Sequence, residues 1–153
     1  MSLTKTQRND NMDTKWDKRF AEVAQLVATW SKDPSTKVGC VIVNEKRHII
    51  ATGYNGFPKG VDDNTDRLND RPTKYLMVQH AETNALLNAT AETTGATAYV
   101  THFPCANCAG ALIQAGIKHI ITVEPNEGLE NRFSDSFSAS RIMLLEAGVV
   151  VQT

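Results

Sequence analysis

Two short motifs constrain this chain more than anything else in it: His80-Ala81-Glu82, and Pro104-Cys105-Ala106-Asn107-Cys108 further on. One imidazole and two thiolates are three ligands of the kind zinc takes, and a three-ligand site keeps a fourth tetrahedral position for water. Cys105 and Cys108 stand one helical turn apart, so they point the same way. Pro104 fixes the backbone just before them. Glu82, two residues past the histidine, can reach that water without binding the metal. A structural zinc site is the opposing reading, but such sites are usually closed by a fourth Cys or His. The remaining cysteine, Cys40, lies in the apolar run Val38-Gly39-Cys40-Val41-Ile42-Val43 and reads as a small buried hydrophobe.

These residue types suit one kind of chemistry. Bound zinc lowers the pKa of water from about 15.7 to roughly 7, so hydroxide exists at neutral pH. It can attack an amidine-like carbon such as C4 of cytosine. The amino group then leaves only if protonated. A carboxylate beside the water can take its proton, pass it to the ring nitrogen and deliver one to the departing ammonia. Glu82 is the candidate for that shuttle, and a purely structural site has no need of it.

Composition narrows the setting. The 153 residues suit one domain, residues 14–153, preceded by a polar and mobile tail over 1–13. A net charge of −1 lacks the basic excess of a nucleic-acid binder. Three cysteines, two of them in a metal motif, fit a reducing cytoplasm better than a disulfide framework. No apolar run approaches a membrane span, and the N-terminus has no apolar core of a signal peptide.

Along the chain, Thr14 with Asp17 resembles a capping box. Trp16, Phe20, Val23, Val27 and Trp30 recur at helical spacing to near Ser31, before Pro34. Strands are expected over 37–43 and 48–54, antiparallel to each other. Residues 57–74 read as a long loop without periodicity, hence functional or disordered. In it Asp62 and Asp63 are either ordinary turn residues or ligands for a divalent ion beside a phosphate. A helix over 79–92, a strand over 96–101, a helix over 105–115 and a strand over 117–124 follow. His102 reads as a loop histidine. A loop over 125–131 precedes a helix that Ser134 or Ser136 caps, with Phe137, Ile142, Leu144 and Leu145 on or near its buried side. A last strand covers 149–152. The order implies a three-layer α/β/α domain around a mixed five-stranded sheet, with both ligand helices starting on one rim.

With these residues in view, the chain resembles the cytidine deaminase superfamily, whose signature is H-x-E with P-C-x-x-C, and within it the deoxycytidylate (dCMP) deaminases. The segments Ser31-Lys32-Asp33-Pro34 and Gly53-Tyr54-Asn55-Gly56-Phe57-Pro58-Lys59-Gly60-Val61-Asp62-Asp63 point to that branch. The resemblance implies zinc on His80, Cys105 and Cys108, with Glu82 as proton shuttle and dCMP hydrolysed to dUMP. It implies that Asn55 holds the sugar hydroxyl and that Ala81 and Pro104 belong to the substrate site. Gly53, Tyr54, Gly56, Asp62 and Asp63 match the region where dCTP activates and dTTP inhibits, each with Mg²⁺. It also implies a homo-oligomer, commonly a hexamer. The monophosphate needs a cation, for which Lys32 and Arg132 are the candidates. Thr83 stands where an aliphatic residue is frequent. No added cysteine or histidine lies between Asp63 and His80, which argues against a second, structural zinc. Competing readings are deamination of free cytidine, a tRNA base or single-stranded DNA, and a zinc-stabilised binding module without chemistry.

Overall fold

A computed structural model describes residues 11–153. The first helix, α1, runs Asn11–Ala28. It begins ahead of the expected start at Thr14, and residues 1–10 of the expected tail lie outside the described residues. Thr14 therefore lies inside the helix rather than at its N-cap, and the Asp17 carboxylate accepts a 2.7 Å bond from the Tyr99 hydroxyl. Phe20, Ala24 and Val27 recur on one face of α1 and are buried. Trp30 departs from that stripe. The helix has ended, and Trp30 is 52% exposed, edge-on to Tyr54.

The strands are β1 (Gly39–Val43), β2 (Ile49–Tyr54), β3 (Thr97–Val100), β4 (His119–Ile121) and β5 (Val150–Gln152). They form the expected mixed five-stranded sheet, and its strand order is β2-β1-β3-β4-β5. β1 is antiparallel to β2 and β3, while β3–β4 and β4–β5 are parallel. Alternation along β1 divides the core. Val41 and Val43 pack with Tyr99 against α1. Cys40 and Ile42 face the other layer with Ala98, Val100, Leu112 and Ile120. Burying such aliphatic side chains contributes about 1.5–3 kcal/mol each.

That second layer holds α4 (Ala81–Asn88), α5 (Ala106–Gln114) and α7 (Ser134–Glu146). Two glycines set how closely helices approach. A Cβ at Gly39 would stand 2.1 Å from the Ala24 carbonyl oxygen, and one at Gly53 would stand 2.3 Å from the Ala81 carbonyl oxygen. Gly53 therefore lets the first turn of α4 lie directly on β2.

Three expectations need correction. Residues 57–74 are not an unbroken loop: α2 (Thr65–Asn69) and α3 (Arg71–Met77) occupy their second half. Asn64 caps α2 through the Arg67 amide, and Pro72 sits in the first turn of α3. A further short helix, α6 (Glu127–Arg132), replaces the expected loop, with Asn126 accepting from the Leu129 amide. Finally, Phe133 rather than Ser134 or Ser136 occupies the N-cap of α7, without a side-chain cap bond. Ser136 instead accepts from the Ala106 amide at the start of α5. On α7, Phe137 and Leu144 are buried, but Ile142 and Leu145 are exposed, one step off the buried face. No helix among the described residues is long and apolar enough to cross a membrane.

Candidate active site

Both motifs meet on one rim of the sheet. Gly39 pairs with Tyr54 and Cys40 with Val100, so the C-terminal ends of β2 and β3 flank the start of β1. That is where open α/β sheets place their sites. The chain leaves β3 through His102, Phe103 and Pro104, and Cys105 becomes the N-cap of α5. His80 is the N-cap of α4. Its position is fixed by a two-way bridge: the Gly56 amide donates to the Gln79 carbonyl, and the Gln79 amide donates back. Asn84 donates to the Tyr54 carbonyl at 2.8 Å and ties α4 to the same segment. On the other side, Ser140 donates to the Pro104 carbonyl at 2.9 Å.

His80 Nδ1 stands 3.5 Å from Cys105 Sγ and 3.4 Å from Cys108 Sγ. Tetrahedral zinc, with bonds of about 2.3 Å to sulfur and about 2.0 Å to nitrogen, would hold them about 3.5 Å apart. The donor set and its spacing therefore fit zinc. Among the described residues no other group of three potential ligands converges in this way. Asp62 and Asp63 do not: Asp62 accepts from Asn64, and Asp63 pairs with Lys32 at 2.8 Å.

Packed this closely, the three ligand groups and Glu82 perturb one another. Cys105 is drawn down to a pKa of about 4, chiefly by its hydrogen bond with Cys108 and then by His80. Cys108 moves the opposite way, because the two sulfurs share a proton. Contact with Cys105 raises His80. Glu82 is 4% exposed, and burial pushes its pKa up to about 7, reinforced by the neighbouring Cys105 charge.

A cavity of about 570 Å³ opens on this cluster. His80, Ala81, Glu82 and Cys105 form its floor, and Phe103, Phe133 and Phe137 one wall. Phe137 meets both other rings edge to face, at 5.7 and 6.5 Å. His102 lies in the loop after β3, as expected; it also lines the cavity, and burial lowers its pKa. Cys108 and Pro104 are buried behind the floor.

Asn55 also lines the cavity, but its amide is engaged with backbone. Its Oδ1 accepts from the Val38 amide, and its Nδ2 donates to the Thr36 carbonyl, each at 2.8 Å. Beside it Asp33 accepts from the Ser35 and Thr36 amides and from Lys74 Nζ at 3.1 Å. Burial opposes the Asp33 charge, but those amides and Lys74 outweigh it and hold its pKa below the ordinary value.

The two expected phosphate cations separate. Arg132 lines the main cavity and donates to the Tyr75 hydroxyl at 3.1 Å. Lys32 does not line it; it borders a second cavity of about 120 Å³ with Tyr54, Gly56 and Asp63. Gly53 lies under α4 instead. Sequence reasoning missed Arg71, Lys74 and Tyr75, all on the main cavity wall. The signal was Asp70-Arg71-Pro72, a helix start.

Comparison with known proteins agrees with this geometry. A family model of the cytidine and deoxycytidylate deaminase zinc-binding region matches residues 14–124. The chain is 46% identical over 140 residues to an uncharacterised deaminase from the luxG 3′ region of Aliivibrio fischeri, covering 92% of this chain and 94% of that protein. It is 39% identical over 148 residues to the deoxycytidylate deaminase of Homo sapiens, covering 93% and 80%. Among solved structures, the dCMP deaminase of cyanophage S-TIM5 in complex with dCMP and dUMP superposes with a TM-score of 0.71 at 26% identity, covering 90% and 96%.

Proposed function

The chain belongs to the cytidine and deoxycytidylate deaminases, and we propose that within that family it hydrolyses dCMP to dUMP and ammonia. The observation that carries this reading is one cavity with His80, Cys105 and buried Glu82 at its floor, Cys108 behind them completing the cluster, and two arginines, Arg71 and Arg132, on its wall. Among the described residues neither arginine has a carboxylate partner. A ring on the aromatic wall would reach the floor while its 5′-phosphate meets the arginines.

His80, Cys105 and Cys108 would hold Zn²⁺, which supplies a Lewis-acidic position where water ionises at neutral pH. Glu82 takes the proton of the attacking water, passes it to ring N3 and delivers one to the 4-amino nitrogen. Water and dCMP thus become dUMP and ammonia. A buried carboxyl, whose charge is disfavoured by desolvation, is suited to both transfers. Asn55 and Asp33 hold residues 35–38 against the cavity, and one Oδ1 lone pair of Asn55 stays free for the sugar hydroxyl.

The second cavity is the place for regulation by dCTP and dTTP. Tyr54, Gly56, Lys32 and Asp63 border it, and an accompanying Mg²⁺ would draw Asp63 away from Lys32 and engage it with nearby Asp62. Exposed Trp30, Tyr54 and Leu87 favour a homo-oligomer, a hexamer by family resemblance. Free Cys40, Cys105 and Cys108 fit a reducing cytoplasm.

The test is ammonia release by the zinc-loaded protein given dCMP or deoxycytidine, each with and without dCTP–Mg²⁺. Turnover that favours dCMP, and rises with dCTP, is the expected result. Equal turnover of both substrates would remove the phosphate reading, and silence with both would remove the substrate class.

A further inference from the structure

Thr83 follows His80 by three residues, so both lie on one face of α4. A threonine inside a helix often gives its hydroxyl to the carbonyl one turn back. Thr83 does not. Among the described residues its hydrogen-bonding contact is Cys108 Sγ, 4.0 Å from Oγ1. Cys108 is 2% exposed, so bulk water does not reach its sulfur freely. The two cysteines are served differently. The Cys108 backbone amide favours the Cys105 thiolate. For the Cys108 sulfur, the Thr83 hydroxyl is the matching donor on the neighbouring helix.

We propose that Thr83 is a positioning residue of the metal centre, its hydroxyl donating an O–H···S bond to the Cys108 thiolate. The bond orients the sulfur across the α4–α5 junction. It also withdraws electron density that the thiolate would otherwise give the metal, and so keeps the metal acidic. Groups that hydrogen-bond to metal ligands set ligand orientation and basicity in this way, and losing one typically costs 10- to 100-fold in metal affinity or activity. The inference rests on the reading that His80, Cys105 and Cys108 hold zinc, and it goes beyond that reading by giving a role to a residue that touches neither metal nor substrate.

The experiment compares the wild-type chain with Thr83→Val, Thr83→Ala and Thr83→Ser, all without substrate. Zinc affinity is read by competition with a chromophoric chelator. The thiolate-to-metal charge-transfer band is read after loading with Co²⁺. Thr83→Val should bind zinc about 10-fold more weakly or worse, because the sulfur is no longer held in its orientation, and its cobalt band should move to longer wavelength, because an unbonded thiolate gives up electron density more easily. Thr83→Ala should do the same, which covers any misfit of valine. Thr83→Ser should restore both values, which a purely steric role would not predict. Wild-type affinity and an unmoved band in both Thr83→Val and Thr83→Ala would overturn the proposal. Neither readout involves dCMP. A shifted band in a chain whose parent does not turn over dCMP would therefore remove the substrate reading and leave the hydrogen bond standing.

Discussion

The two cavities share Asp33, Asn55, Lys74 and Val78 in their walls, yet their cations are used in opposite ways. In the larger one Arg71 and Arg132 have no carboxylate partner among the described residues, and Glu82 is buried at the floor. In the smaller one Lys32 is already paired with Asp63, in the open. An unpaired arginine in an aromatic cleft is ready for an anion, whereas a paired surface lysine must first lose its partner. The difference teaches that a family motif does not by itself show which cavity its cation borders. Lys32 lies in such a motif, and Arg71 does not.

Removing the shuttle should have the largest effect. Glu82→Gln is expected to keep zinc and fold while kcat for dCMP falls about 10²- to 10⁴-fold; metal content and steady-state rates on one preparation check this. Next comes the wall between the cavities. Lys74 and Asp33 are both buried, and Lys74→Met leaves the Asp33 carboxylate its amide donors but no cation, which costs about 3 kcal/mol in urea unfolding. The pH dependence has a definite sign. The Asp33 pKa is lowered, so its contribution is present above the ordinary carboxylate range and is lost as pH falls through the folded value. In Lys74→Met that acid loss should begin at a higher pH, visible in Tm measured from pH 5 downward.

The cations themselves give the sharper contrast. Arg71→Ala or Arg132→Ala should each raise KM for dCMP about 10- to 100-fold and leave deoxycytidine kinetics nearly unchanged, the loss of a charge-assisted contact to phosphate. Lys32→Ala should leave KM for dCMP within about twofold, since an exposed ion pair contributes little, while weakening the response to dCTP. If Lys32→Ala raised KM for dCMP as much as Arg132→Ala does, the functional division between the cavities would be wrong.

The sequence made the floor legible because spacing carries it. His80, Glu82, Cys105 and Cys108 are read from two short motifs, and burial of Cys40–Val43 on both faces follows from its apolar run. The walls were harder. Asn64 and Asn126 cap α2 and α6, and Asp70-Arg71-Pro72 opens α3, but helices this short lack the periodicity that distinguishes a helix from a loop. Burial of Lys74 could not be read at all. Its partner Asp33 is 41 residues away, and only the folded chain brings them together. Trp30 failed for a related reason, since a periodic stripe does not show where its helix stops.

The most direct measurement follows dUMP formation from dCMP by ¹H NMR on one sample carried through three states: as loaded with one zinc per chain, after chelation, and after zinc is restored. The expected result is dUMP with an equal amount of ammonia in the first and third states, and none in the second. Undiminished turnover in the chelated protein, or no dUMP from the fully loaded one, would contradict the assignment of this centre to dCMP deamination.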